Sequence, residues 1–121
     1  MNWIWVFIGG GTGALCRWGV SLLNPSSSVG FPVNTTIVNL LGCLLIGIAA
    51  AALVGTNQKL QLFLMLGFLG GFTTFSSFGL EIFRLIEQHQ WQTAVIYILI
   101  SNLVGVALVV VGYKLTNLCL T

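Results

Sequence analysis

The chain contains no aspartate, and its acids are Glu81 and Glu87 alone. Charged residues make up 5% of its 121 positions, against about 25% in an ordinary soluble domain. There is one histidine, His89, and it sits in a polar stretch where a solvated side chain is expected. No serine, histidine and acid can be drawn from separate segments, which argues against hydrolysis or metal chemistry by side chains. No C-x-x-C occurs, which argues against a zinc site or a redox pair. Cys16, Cys43 and Cys119 lie far apart, in or beside apolar runs, and read as small apolar residues. The net charge is +2, with no basic cluster. Neither a nucleic-acid surface nor a lipid-headgroup site is written in that pattern.

What is present is apolar. Hydrophobic residues are 57% of the chain, and the mean hydropathy is +1.03. A soluble fold of this length has too much surface for its volume to hide that material. The solvent that accommodates it is lipid. The reading is an all-α membrane protein of one domain, 1–121, with four transmembrane helices at about 3–23, 33–55, 59–88 and 91–115. The segment 24–32, with its prolines and serines, is a loop, and 56–58 is a turn. The first apolar stretch has no basic n-region and no small-residue cleavage site, so it is expected to be a retained helix. No internal repeat is visible.

The third helix is too long. About 30 residues of continuous helix would span about 45 Å, against about 30 Å of hydrocarbon. Its middle reads GGFTTFSSF over 70–78. Paired glycines followed by four hydroxyl residues make a poor helix interior. Two half-helices joined by a short unwound segment are expected near the middle. Such backbone must be buried in protein or line a cavity. The glycines elsewhere, at 9, 10, 11, 13, 42, 47, 105 and 112, read as sites of close helix packing.

With four spans both termini lie on one side. Lys59 and Lys114 fall on that side, and Arg17 and Arg84 near the other. The positive-inside rule needs an asymmetry to set orientation, and two against two is none. Either helix hydrophobicity or a partner sets one orientation, or the chain inserts both ways and opposite copies pair as an antiparallel dimer. Four thin helices barely enclose a polar path, which favours an oligomer.

The groups left at membrane depth are uncharged and polar. Asn39 lies in the second helix. Thr73, Thr74, Ser76 and Ser77 lie at the expected interruption. Tyr97, Ser101 and Asn102 lie in the fourth helix, with Tyr97 and Ser101 at i, i+4 on one face. Amide and hydroxyl donors can replace water around an anion, or they can simply tie helices together. Phe75 and Phe78 share a face, where ordinary packing competes with a second use. A phenyl ring has a positive edge, so rings turned edge-on to a narrow path favour an anion without holding it fast. Unwound backbone also frees carbonyls, which are hard ligands for a cation. Arg17 reads as a helix-end anchor that can also draw anions into a vestibule. Glu81 and Arg84, at i, i+3, are expected to pair.

These residues resemble the small bacterial fluoride channels of the Fluc family, also called CrcB, over essentially the whole chain. Residues 9–18, GGGTGALCRW, are similar to the family's glycine-rich first helix with its arginine. Residues 39–47, NLLGCLLIG, resemble its N-x-x-G segment, and 67–78, GFLGGFTTFSSF, its central interruption. Departures are Leu44 for a frequent Phe, Leu69 for Cys, Ser77 for Thr, and Gly105 where some members carry Ser. The resemblance implies an antiparallel dual-topology homodimer in the bacterial inner membrane, with two fluoride pathways that export fluoride passively and protect the cytoplasm. It implies that Phe75 and Phe78 face the pathway with Asn39, Tyr97 and Ser101, joined by Thr74 and Ser77, and that Arg17 is the family's helix-one arginine. It also implies a structural sodium ion at the dimer centre, held by the backbone carbonyls of Gly70 and Thr73 from each copy.

Two rival readings remain. Small multidrug-resistance transporters are also four-helix chains that can pair antiparallel, but they depend on a membrane-embedded Glu in helix one, which has no acid here. A noncatalytic helper subunit would use its polar groups to bind a larger partner.

Overall fold

The computed structural model describes residues 1–24 and 30–121; residues 25–29, the centre of the expected loop at 24–32, lie outside them. All regular structure among the described residues is helical. Four helices are long and apolar enough to cross a membrane: α1 (Trp3–Leu23), α2 (Val33–Ala52), α3 (Gln58–Glu87) and α4 (Trp91–Leu120). At 21 residues α1 is roughly 32 Å long, the thickness of a hydrocarbon core. Within the protomer only 11% of its most apolar window is buried. Much of the remainder is exposed on the protomer, as lipid permits and water would not.

Local chemistry sets the boundaries. Asn57 caps α3, its Oδ1 accepting the Lys59 N–H at 2.8 Å. α2 stops at Ala52, three residues before the apolar pattern ends. There Gly55 takes a positive φ of 73°, and Thr56 and Gln61 side chains donate to the Leu53 carbonyl. The turn thus closes on the carbonyl of the cap residue, which the helix itself leaves unpaired. α4 continues to Leu120 instead of ending near 115, because no glycine or proline follows Lys114 to stop it. Between α3 and α4, His89 adopts φ 57°. Its N–H reaches the Ile86 carbonyl and that of Gln90 reaches Leu85. This is a Schellman closure with a histidine where glycine would be unstrained.

Glycines bring helices together in two pairs. A Cβ on Gly13 would run into the Phe68 carbonyl, and one on Gly9 into the Phe63 carbonyl. A Cβ on Gly67 would sit 2.9 Å from the Gly9 Cα. α1 is therefore in backbone contact with the first half of α3. On the other side Gly47 of α2 abuts the Val109 carbonyl, and a Cβ on Gly112 of α4 would lie 2.5 Å from the Leu44 carbonyl. Dispersion at such short range replaces the hydrophobic drive that lipid does not supply. The second half of α3 packs elsewhere, through Phe78 and Leu85 against Ala94 and Tyr97 of α4.

Gly13→Ala is expected to lower stability by roughly 1–3 kcal/mol or more, since backbone cannot move aside as a side chain can. Gly11→Ala, whose added methyl meets nothing within 4 Å, is expected to be neutral or to stabilise by up to about 1 kcal/mol through helix propensity. Thermal unfolding in detergent distinguishes them; equal losses would refute the packing account.

Candidate functional site

α3 leaves helical geometry at Thr73 (φ −79°, ψ 159°) and Thr74 (φ −149°, ψ 122°). Helical turns end at Phe72 and resume at Phe75. The first residues of the resumed helix are capped by Thr74, whose Oγ1 accepts the Ser77 N–H at 3.2 Å and contacts the Ser77 Oγ at 3.2 Å. Thr73 turns its hydroxyl back to the Leu69 carbonyl at 2.8 Å. Asn39, reaching across from α2, makes two bonds to one residue. Its Oδ1 accepts the Thr74 N–H at 2.8 Å, and its Nδ2 donates to the Thr74 carbonyl at 3.0 Å. Asn39 is thus tied to the interruption itself. Gly42, one turn later on α2, leaves room for the Thr73 methyl.

A cavity of about 330 Å³ opens at this point. Gly70, Thr73, Thr74, Phe75 and Phe78 line it from α3, with Asn39 and Cys43 from α2 and Ser101 and Asn102 from α4. Part of its lining, Met65 and Leu69 with Ser101 and Asn102, comes from two π-helical stretches, Leu62–Leu69 in α3 and Ile100–Val104 in α4. Such widened turns displace side chains from the regular helical face and recur at functional positions. The Ser101 Oγ is buried and has no hydrogen-bond partner among the described residues. The rings of Phe75 and Phe78 stand 5.7 Å apart at 43°. Phe78 is buried, whereas Phe75 is 83% exposed on the isolated protomer.

A second cavity, about 350 Å³, lies toward the Arg17 end and shares Thr74 with the first. Arg17, Thr35, Ser77 and Glu81 line it. The Arg17 Nε is buried and without a partner among the described residues. The expected Glu81–Arg84 pair is not formed among the described residues. Instead the Glu81 Oε1 accepts the Thr35 hydroxyl at 2.6 Å and its Oε2 the Tyr97 hydroxyl at 2.6 Å. Tyr97 is fully buried. The Phe78 ring packs edge-on against it at 4.9 Å and the Phe31 ring at 5.5 Å. Tyr97 and Ser101 therefore share a helix face but not a cavity: Tyr97 is locked in the aromatic core and Ser101 lines the opening.

Of the expected pathway residues Asn39, Thr74, Phe75, Ser77, Phe78, Tyr97 and Ser101, the first cavity gathers Asn39, Thr74, Phe75, Phe78 and Ser101 but not Tyr97 or Ser77, and Gly70 and Thr73, expected separately as cation ligands, line it too. Arg17 and Ser77 face the second. Thr35 and Glu81 were not foreseen as partners. Thr35 and Asn39 are i, i+4 on α2, a spacing that puts both on the α3 side. Among the described residues no group of three His, Cys, Asp or Glu stands ready to hold a metal.

Residues 4–113 match the profile described as CrcB-like protein, Camphor Resistance (CrcB). The chain belongs to the CrcB-like family. A CrcB relative from Azobacteroides pseudotrichonymphae genomovar. CFP2, named fluoride-specific ion channel FluC, is 45% identical over 116 residues, covering 93% of each chain. Another of that name, from Methylobacterium sp. (strain 4-46), is 42% identical over 118 residues, covering 95% of each. The CrcB match thus takes in α1 through most of α4, including both cavities.

Tyr97→Phe is expected to cost about 1–3 kcal/mol, because it leaves one oxygen of a part-buried carboxylate without its donor. Thr35→Val is expected to act similarly on the other oxygen. Unfolding of single and double variants gives the coupling between them; strict additivity would show that Glu81 does not join the two.

Proposed function

We propose that this chain is a fluoride-selective channel, which lets the anion leave the cytoplasm down its electrochemical gradient. The observation that carries the reading is the first cavity. Two phenyl rings and an unpartnered serine hydroxyl converge at an interruption of α3, in a chain of this family. A small, strongly hydrated anion must exchange water for donors at each step. Arg17, with its unpartnered Nε, supplies a positive mouth at one end. Ring edges and hydroxyls continue the path without a fixed charge, so the ion is never held too tightly to move on. Hydrogen fluoride crosses membranes neutral and ionises in the less acidic cytoplasm. A passive route for the anion then lowers the internal load, and no nucleotide or proton-relay chemistry is required.

The working unit is an antiparallel homodimer in the bacterial inner membrane, with α3 acting as two half-helices. Balanced cations at the two ends support insertion in both orientations. A two-fold axis in the membrane plane gives the internal symmetry that other transporters achieve with inverted repeats. Phe75 and Gly70, exposed beside the cavity mouth, leave a wall for the second copy to complete. A structural sodium ion belongs at the dimer centre, with the Gly70 and Thr73 carbonyls of both copies as its ligands. The donor set fits. In a continuous helix those two carbonyls would take the N–H groups of Thr74 and Ser77. Here both N–H groups are given to side chains. When bound, such an ion would supply a positive charge to these carbonyl oxygens.

Liposomes loaded with potassium fluoride or chloride and treated with valinomycin test the reading. Rapid fluoride efflux with little chloride is expected. Silence for fluoride, with proton-coupled movement of an organic cation, would establish a transporter instead. Phe75→Ile and Phe78→Ile are each expected to slow efflux roughly tenfold or more, about 1.4 kcal/mol at the barrier, while folded dimer persists. Normal conduction by both would refute the role of the rings. C-terminal tags are expected on both faces of the membrane, and labelling from one face alone would overturn dual topology.

A further inference from the structure

An α-helix running through residues 70–77 would close the Thr74 N–H on the Gly70 carbonyl and the Ser77 N–H on the Thr73 carbonyl. Two different devices prevent this. The Ser77 N–H goes to the Thr74 Oγ1 at 3.2 Å, an N-cap made within three residues. The Thr74 N–H goes to the Asn39 Oδ1 at 2.8 Å, an acceptor delivered from another helix 35 positions away. The same amide donates to the Thr74 carbonyl at 3.0 Å. An amide carries an acceptor and a donor at one end, so it satisfies both main-chain groups of a single extended residue.

We propose that Asn39 is a positioning residue for the cation site: by taking the Thr74 N–H, it keeps the Gly70 carbonyl out of the helical ladder and available as an oxygen ligand. This rests on the sodium site proposed above. It gives Asn39 a task distinct from donating to a passing anion, since its oxygen and one amide hydrogen are committed to Thr74. The surroundings of Gly70 agree. An ideal Cβ there meets nothing within 4 Å, while its neighbour Gly71 abuts the Gly10 backbone. Gly70 is exposed and lines the first cavity, so it stands on the open side of α3. Without the Asn39 oxygen, the Thr74 N–H would be an unpaired donor at membrane depth. The acceptor one helical turn back is the Gly70 carbonyl, and closing that bond withdraws it from the cation.

The test uses the purified full-length protein in detergent, titrated with sodium chloride against N-methyl-D-glucamine chloride at constant ionic strength. The readout is the melting temperature followed by tryptophan fluorescence, and the half-saturating sodium concentration is taken from it. Asn39→Ala is expected to raise that concentration about tenfold, the equivalent of one hydrogen bond competing for the carbonyl. Asn39→Asp keeps an oxygen for the Thr74 N–H and loses the donor, and is expected to retain the sodium response. If the Ala variant melts lower but saturates at the wild-type sodium concentration, Asn39 is only a tie between helices and the proposal is overturned. If the Ala variant cannot be obtained folded, the Asp variant decides: a lost sodium response overturns the proposal, and a retained one supports it. A wild-type protein indifferent to sodium overturns the sodium reading itself, and the positioning role with it.

Discussion

Peptide groups at membrane depth have no water to fall back on, and a helix that stops inside the membrane exposes several of them at once. Two residues of α3, Thr73 and Thr74, are extended. The architecture around them reads as an answer to that exposure. Asn39 takes both main-chain groups of Thr74, and the Thr74 hydroxyl takes the Ser77 N–H. Both cavities border this arrangement. The first cavity opens beside it, the second shares Thr74 with the first, and the two phenylalanines begin the helix that it launches.

The interruption also divides α3 between two neighbours. Its first half is held by α1 through backbone contacts at Gly9, Gly13, Gly67 and Gly71. Its second half is held by α4 through Phe78, Leu85, Ala94 and Tyr97. α2 touches the junction and packs along α4 through Gly47 and Gly112. Close glycine contacts permit little adjustment, because backbone has no rotamers. The position of the interruption is thus set from three sides.

Polarity is distributed with economy. Glu81 has each oxygen occupied by a hydroxyl, from Thr35 and Tyr97. Its carboxylate is built into the packing between α2 and α4. Arg17 and Ser101 are different: each keeps a buried donor or hydroxyl without a protein partner among the described residues, and each lines a cavity. Buried polar groups are usually satisfied. Unsatisfied ones that face openings are where a ligand or water would be expected to stand.

Much of this was legible in the sequence. Scarce charge and long apolar runs define the four helices, since the hydrophobic period and the absence of breakers act locally. GGFTTFSSF marks the interruption for the same reason: poor helix formers depress helicity wherever they occur. What the sequence misread were events between segments. Glu81 was expected to meet Arg84 at i, i+3, but Thr35 and Tyr97 offered hydroxyls from two other helices. Tyr97 and Ser101 share a face by period, yet a π-helical stretch begins between them at Ile100 and they end in different surroundings. α2 ends earlier than its apolar pattern, where the Thr56 and Gln61 side chains take the carbonyl of its cap residue, Leu53. By itself, then, the sequence determined which stretches are apolar helix and where the third cannot stay helical, because these depend on neighbours along the chain. Only the tertiary structure decided where the freed main-chain groups of Thr74 go, because their partner, Asn39, arrives from 35 positions away and no spacing rule reaches so far.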